Sequence, residues 1–518
     1  MPRLALKPDS SFFRKIVIGA VGTRSVSSHL SLHDHEMVEL ERGSMDTKLW
    51  KEVKRKRVRI PDLLCKRCGL RVESRAKTKR ELSMSHSITE EARAWDFGMV
   101  DSDYVAFPIC EAVAEEYWSA GKLNDASSYW HERNWVRWQS NTHINYFRVG
   151  SFRAAPATKT GTKGVTEGSE TTLSWGATFS TLSGVVDAVN DQKLTLRRNL
   201  DARRQTWTVR EGLTVVVGLH EQIEVNQIIA SGVAPLKGRE LACPRHIPNG
   251  HLSHLLSSRE RTQRFTGVKL ARLLDDGSHR RVVSNLADDL EEDVYIRLEA
   301  ISYLAAVCGE SARELFDSYL KSPDEQIHLE AVIALGETAT PGAIEILSEI
   351  LDDETQPYFV RSAAAWCLSR VGTEEAAARL KQAFSDVDIK IREEALEGIV
   401  SIGGPAIPIV LSGLREVNED IVAGCAEALR QNQPIQEEIL LDLLNDLRRD
   451  GSPQWTVWLL GHLPRDQVST TIAGLQESAP QLHYAISLLW SFVESWIARR
   501  WEINPGAAFP FLEEAHDV

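Results

Sequence analysis

The sequence predicts a multidomain α+β protein with three parts. They are an N-terminal α/β domain over residues 10–150, a small β-rich middle module (barrel or sandwich) over 172–235, and a C-terminal α-solenoid over 287–515. Three observations predict this. Beyond residue 287 a pattern of apolar and small residues recurs every 30 to 33 residues, the mark of a stacked helical array. Between 182 and 218, short alternating apolar segments are punctuated by turn residues. The charge is also split. Residues 1–280 hold 43 Lys+Arg against 32 Asp+Glu, whereas residues 281–518 hold 17 against 41, a net +11 followed by −24. Such asymmetry gives the two halves different partners, a polyanion being suited only to the first.

Of the 518 residues, 43% are hydrophobic and 26% charged, which excludes a collagen-like or wholly disordered chain. No run of 18 apolar residues occurs, so no membrane-spanning helix is expected. The apolar run from Ile16 to Gly22 is too short and wrongly flanked for a signal peptide. Seven widely spread cysteines read as reduced thiols, and the expected location is cytoplasmic.

In chain order, a helical stretch leads to Glu36, Glu39 and Glu41, then to the basic run Lys54-Arg55-Lys56-Arg57-Val58-Arg59. Residues 48–80 hold 14 Lys+Arg and only three acids, Glu52, Asp62 and Glu73, which makes those acids conspicuous. Ile60-Pro61-Asp62-Leu63-Leu64-Cys65 and Leu70-Arg71-Val72-Glu73-Ser74-Arg75-Ala76-Lys77 flank a turn at Lys66-Arg67-Cys68-Gly69. The second segment alternates, with Arg71, Glu73, Arg75 and Lys77 on one face. An antiparallel hairpin follows, with Asp62 and Glu73 on neighbouring strands. Paired carboxylates supply the hard oxygen ligands that Mg²⁺ requires, and the ion can lower the pKa of a bound water and neutralise charge on a phosphate. A nearby lysine stabilises the same charge. The arginines Arg55, Arg57, Arg59, Arg71 and Arg75 would hold a nucleic-acid backbone without reading its sequence.

On Pro61-Asp62, Glu73 and the flanking lysine, residues 10–115 resemble the PD-(D/E)xK nucleases. The resemblance implies an N-terminal α/β nuclease-like domain that hydrolyses phosphodiester bonds with Mg²⁺. It gives Asp62, Glu73 and an upstream acid, Glu39 or Glu41, to the metal. Asp62, Glu73 and Lys77 become the catalytic set. The third element departs from the family, because Arg75 stands two residues after Glu73 and an always-charged guanidinium cannot act as a base. Lys77, two further on, is the substitute.

Cys65-x-x-Cys68 is half of a zinc site, and His86, Cys110 or Cys243 are the donors in view. A turn with free thiols is the expected reading. His29 and His33, spaced i,i+4 with His35 close by, read as polar-face histidines. Residues 155–172 read as a flexible linker or long loop. Asn190-Asp191-Gln192 then closes a hairpin between 182–189 and 193–198.

In the C-terminal half, Arg297-Leu298-Glu299-Ala300, His328-Leu329-Glu330-Ala331, Arg361-Ser362-Ala363-Ala364 and Arg392-Glu393-Glu394-Ala395 start successive copies. Leu304, Leu335, Leu368 and Ile399 lie seven positions after the first residue of each copy. Each copy divides into two helices at a Gly- or Pro-marked turn, and Thr340-Pro341 fits an N-cap followed by the first helical position. These copies resemble HEAT repeats, including the short variety of phycobilisome-lyase-like proteins. The resemblance implies an extended surface that docks a protein partner, with no chemistry of its own. The array's acidity argues against nucleic acid lying along it. The alternative to a nuclease is therefore a non-catalytic adaptor, whose basic N-terminal region binds nucleic acid or an acidic protein.

Overall fold

The computed structural model describes residues 10–41, 44–45, 60–87, 89–113, 137–165, 168–190, 192–432, 435–447 and 454–502. The chain divides into two compact units, 1–115 with 127–308, and 116–126 with 309–518.

The first unit begins with helix α1 (Ser10–Ser31) and strands β1 (Met37–Glu39), β2 (Leu63–Cys65), β3 (Arg71–Ser74) and β4 (Leu82–Ser87). Strands β5 (Tyr104–Val113) and β6 (Arg137–Arg148) follow, then the short helix α2 (Val149–Ala154). A five-stranded sheet runs β1-β2-β3-β5-β6. Its first three strands form an antiparallel meander, β5 runs parallel to β3, and β6 returns antiparallel to β5. The hairpin expected at 60–77 is present, with Leu63 opposite Val72 and Leu64 opposite Arg71.

This sheet is buried on both faces. Val26 and Leu30 of α1 pack with Leu63, Val72, Tyr104, Ala106, Ile144 and Tyr146. The alternate residues Val105, Phe107 and Phe147 face a second core with Phe152, Trp95 and Trp175. Because the middle of the sheet is covered on two sides, Arg71 and Glu73 of the polar stripe predicted along β3 are enclosed, while Arg75 and Lys77 are half-buried. Arg71 is 2% exposed and Glu73 8%.

Strands β7 (Thr158–Val165), β8 (Gly168–Trp175), β9 (Ala177–Phe179), β10 (Gly184–Val189), β11 (Lys193–Arg198) and β12 (Arg204–Thr208) come next. Strands β13 (Thr214–Val215), β14 (Gln222–Ile223) and β15 (Ile228–Ser231) complete the set. The segment read as a linker, 155–172, is in fact most of the β7–β8 hairpin. Its threonines favour extended structure (β-branching stiffens χ1), and the glycines among them masked the signal. β8 also pairs with β4, Leu82 opposite Trp175, so the middle region is laced into the N-terminal sheet system. The β10–β11 hairpin forms as expected, with Val186, Leu194, Leu196, Val217, Ile223 and Ile229 as its core.

Helices α3 (His251–Leu256), α4 (Arg261–Leu273), α5 (Arg280–Asp288) and α6 (Val294–Ala306) close the first unit. Leu255, Phe265, Leu270, Tyr295 and Ile296 share one core with Leu40, Ile60 and Leu64.

The second unit is helical. It contains α7 (Ala312–Leu320), α8 (Glu325–Gly336), α9 (Pro341–Asp352), α10 (Tyr358–Val371), α11 (Glu374–Gln382), α12 (Ile389–Ile402), α13 (Ile407–Gly413) and α14 (Glu419–Gln431), with further helices to Glu502. The repeat positions read from the sequence are core positions: Ala300, Ala331, Ala364 and Ala395 are fully buried. Ser311, Asp324, Thr340, Thr373, Asp388 and Asn418 each cap a helix by accepting an N–H of its first turn. The arginines that start two copies also have a structural job. Arg297 donates to the Ala287 carbonyl at 3.2 Å and Arg361 to the Leu351 carbonyl at 2.8 Å, satisfying acceptors at or near the end of the preceding helix. Among the described residues no single helix is long and apolar enough to cross a membrane.

Candidate functional site

The β2–β3 hairpin and its flanks carry Asp62, Arg71, Glu73 and Arg75. Continuing its register places Asp62 opposite Glu73. Asp62 Oδ2 accepts the Ser74 N–H at 2.7 Å. Burial, then the Glu73 and Glu41 carboxylates, raise the Asp62 pKa well above its ordinary value, against the opposing pull of the Ser74 amide and Arg75. The hairpin thus brings the two acids near each other.

Of the other residues in the predicted set, Glu41 acts on Asp62, while Glu39 and Lys77, like Glu73 itself, each have hydrogen-bond or ion-pair partners of their own. Glu73 Oε1 is ion-paired with Arg75 Nη2 at 2.9 Å. Glu39 Oε1 accepts the Met45 N–H at 2.8 Å, closing a local turn. Lys77 Nζ donates to Ser83 Oγ at 3.1 Å, and Ser83 donates on to Glu81. Burial lowers the Lys77 pKa to about 8, and the charges that act on it are Glu81 and Arg75 rather than Asp62 and Glu73. Lys77 lies beyond the end of β3 but continues the same parallel register, bridged to Ile109.

The basic residues separate in the same way. Arg71 donates from Nε and Nη2 to the Asp103 carboxylate at 3.1 and 2.5 Å, and from Nη1 to Thr266 at 3.3 Å. A guanidinium so enclosed holds the sheet to α4 and is out of reach of a nucleic-acid strand. Arg75 is committed to Glu73 and to the Trp95 carbonyl at 3.3 Å. Arg55, Arg57 and Arg59 lie outside the described residues.

The turn of the same hairpin gathers a second constellation. Gly69, at φ +76°, takes the left-handed conformation that closes Lys66-Arg67-Cys68-Gly69, and Gly69 N–H donates to the Cys65 carbonyl at 2.8 Å. Cys65 and Cys68 there meet His35, from the turn after α1, and Cys243, from the loop before α3. The four ligand atoms all lie within 4.8 Å of one another. Cys65 Sγ is 4.0 Å from Cys243 Sγ, and Cys68 Sγ is 3.7 Å from His35 Nδ1. The hydrogen bond from Cys68 lowers the Cys65 pKa to about 3, helped by His35 and the Glu36 and Arg67 amides, while the bond to Cys65 and burial raise Cys68.

The sequence offers Cys243 as a donor but places His35 beside His29 and His33. His29 is on α1 and His33 in the turn that follows it, whereas His35 comes after the turn, where the chain meets the hairpin. His86 and Cys110 are elsewhere: His86 Nδ1 lies 3.4 Å from the Trp95 N–H, and Cys110 Sγ 3.8 Å from the Ile18 carbonyl. His29, read as a surface histidine, is half-buried with Nδ1 3.1 Å from the Tyr146 hydroxyl. Burial, with His33 and His143, lowers its pKa to about 4.

Comparison with known proteins bears on the helical half. The family model for HEAT repeats matches residues 281–359 and 356–430. No curated protein matches the chain. Similar solved structures include human deoxyhypusine hydroxylase, at 18% identity over 45% of this chain and 87% of that one, with a TM-score of 0.19. The complex of CpcE and CpcF of the phycocyanin lyase from Nostoc sp. PCC7120 matches at 18% identity over 40% of this chain and 94% of that one, TM-score 0.21. A designed armadillo repeat protein matches at 15% identity over 35% and 98%, TM-score 0.20. Superpositions this limited say nothing further of the chain. With these matched repeats and their paired helices, the C-terminal half carries HEAT repeats.

Proposed function

We propose that the protein is a docking scaffold whose HEAT repeats bind a protein partner through a basic, partly apolar segment. The observation that carries this reading is the repeat array itself, joined to its charge of −24 over residues 281–518. Helical arrays of this kind present extended surfaces built from successive repeats. Val387 and Val417, which precede the capping residues of α12 and α14, are 79% and 103% exposed, and Ile389 is 59% exposed. Apolar side chains held open at matching positions of consecutive repeats would give a partner something to bury beside the acidic field. The free cysteines suit a reducing, cytoplasmic setting for such a scaffold.

The test is binding of a labelled Lys/Arg-rich peptide with interspersed leucines. The full chain should bind it, and a variant with Val387→Asp, Glu393→Lys and Val417→Asp should bind at least about tenfold more weakly. Affinity should fall as salt rises. Equal affinity of the two proteins removes the scaffold reading for this face.

A second reading has one favouring observation, the Asp62 carboxyl raised by its neighbour Glu73. On that reading the N-terminal half hydrolyses phosphodiester bonds, with Mg²⁺ on the two carboxylates and Lys77 brought in by rearrangement. Incubating the protein and its Asp62→Ala variant with DNA and RNA plus Mg²⁺ decides it. Cleavage by the first and not the second supports hydrolysis, and equal results leave the scaffold alone.

A further inference from the structure

We propose that His35, Cys65, Cys68 and Cys243 form a zinc-binding site that ties three separate segments of the N-terminal unit together. Zinc takes four ligands in a tetrahedron, with Zn–S near 2.3 Å and Zn–N near 2.0–2.1 Å, so its donors stand roughly 3.5–3.8 Å apart. Two contacts here, 3.7 Å for nitrogen to sulfur and 4.0 Å for sulfur to sulfur, have that scale. They are far too long for a disulfide, whose sulfurs lie about 2.05 Å apart. A cluster whose four donor atoms all fall within 4.8 Å of one another suits a single ion. Three soft thiolates and an imidazole select zinc over magnesium or calcium.

The surroundings are arranged for anionic sulfur. Cys65 receives a backbone hydrogen bond from Arg67, Cys68 from Leu70 and Cys243 from Arg245, each from the residue two positions on. The Arg245 N–H lies 3.3 Å from Cys243 Sγ, and Cys65 receives a further amide bond from Glu36. Such amides disperse charge on a thiolate, whereas a neutral thiol accepts them only weakly. His35 is oriented as a ligand. Its Nε2 is 3.0 Å from the Leu241 carbonyl, which fixes the proton on Nε2 and leaves the Nδ1 lone pair facing the sulfurs.

Three strands of chain are clamped into place independently of any ion. The Cys243 N–H donates to the His33 carbonyl at 2.9 Å, and the Lys66 N–H to the Glu36 carbonyl at 3.0 Å. Arg245 pairs with Asp34 at 2.6 Å. Asp34 and Arg245 both stand at positive φ, +67° and +59°, a backbone cost accepted where His35 and Cys243 are aimed. Cys65 and Cys243 are 178 residues apart in sequence, so an ion here closes a long loop across the unit. The site does not depend on either functional reading above.

The full chain, purified under reducing conditions without added metal, should contain about one zinc per molecule by elemental analysis. Cys65→Ser and His35→Ala should lose it, while Cys110→Ser, whose thiol faces the Ile18 carbonyl, should keep it. Should the ligand variants fail to fold, exchange of Co²⁺ into the intact chain gives the answer. An intense visible spectrum of tetrahedral, thiolate-bound cobalt supports the site, and its absence overturns it. Wild type with zinc well below one equivalent, or zinc equally retained by all variants, also overturns the proposal.

Discussion

Arg71 shows how a single residue can be misplaced by its neighbours in sequence. It sits in a basic run and shares a strand face with charged residues, yet its side chain is 3% exposed and its partner Asp103 5%. Burial raises the Asp103 pKa even with the guanidinium against it. Removing one half of such a pair strands the other as an uncompensated buried charge. Arg71→Ala should therefore lower stability by about 3–5 kcal/mol, measured by urea unfolding. A loss under about 1 kcal/mol would show the pair to be hydrated and open. His29 gives a prediction in pH. Its folded pKa is near 4, against 6.5 for the unfolded ring. Above pH 6.5 both states are neutral. As pH falls from 6.5 toward 4 the unfolded chain takes up a proton that the folded chain refuses, so stability is lost across that window. His29→Gln should flatten that part of the stability–pH curve, and an unchanged slope would contradict the assignment.

Among elements, the HEAT helices were the most legible. Their signal is local and repeated, and each copy carries its own caps and small residues. Gly336 ends α8 where it meets α10: a β-carbon there would stand 2.5 Å from Cys367 Cβ and 2.6 Å from its Sγ. Since the nearest atom is the fixed Cβ of a buried residue, no rotamer relieves the clash. Gly336→Ala should destabilise by about 1–3 kcal/mol despite alanine's better helix propensity, as read by thermal unfolding. Thr340→Ala, which deletes an N-cap, should cost about 1 kcal/mol by the same measurement. Strands fared less evenly. The β2–β3 and β10–β11 hairpins were readable because a turn sits between two alternating runs. The β7–β8 hairpin was not, because its glycines and threonines carry no apolar alternation and its pairing with β4 is long-range.

For the whole molecule, the HEAT match begins at residue 281, while the first compact unit extends to Cys308. Tyr295 and Ile296 of α6 complete the core around Leu40, Leu64, Phe265 and Leu270. A fragment of residues 1–308 should accordingly fold as a monomer. One of residues 1–280 should expose that core, bind a hydrophobic dye and elute as aggregate on size exclusion. Identical behaviour of the two fragments would show that α5 and α6 belong energetically to the repeats alone.

The sequence by itself determined the repeat array, the turns that divide its helices and its acidic character, because period, turn residues and charge are properties of neighbouring residues. It also brought Asp62 and Glu73 onto adjoining strands, since a tight turn fixes register. Only the tertiary structure decided what surrounds them: Arg75 on Glu73, Lys77 on Ser83 and Arg71 on Asp103. It alone joined His35 and Cys243 to the Cys65-x-x-Cys68 turn. Those contacts link segments up to 178 positions apart, and no local pattern encodes which distant side chain a folded backbone will bring within a bond's reach.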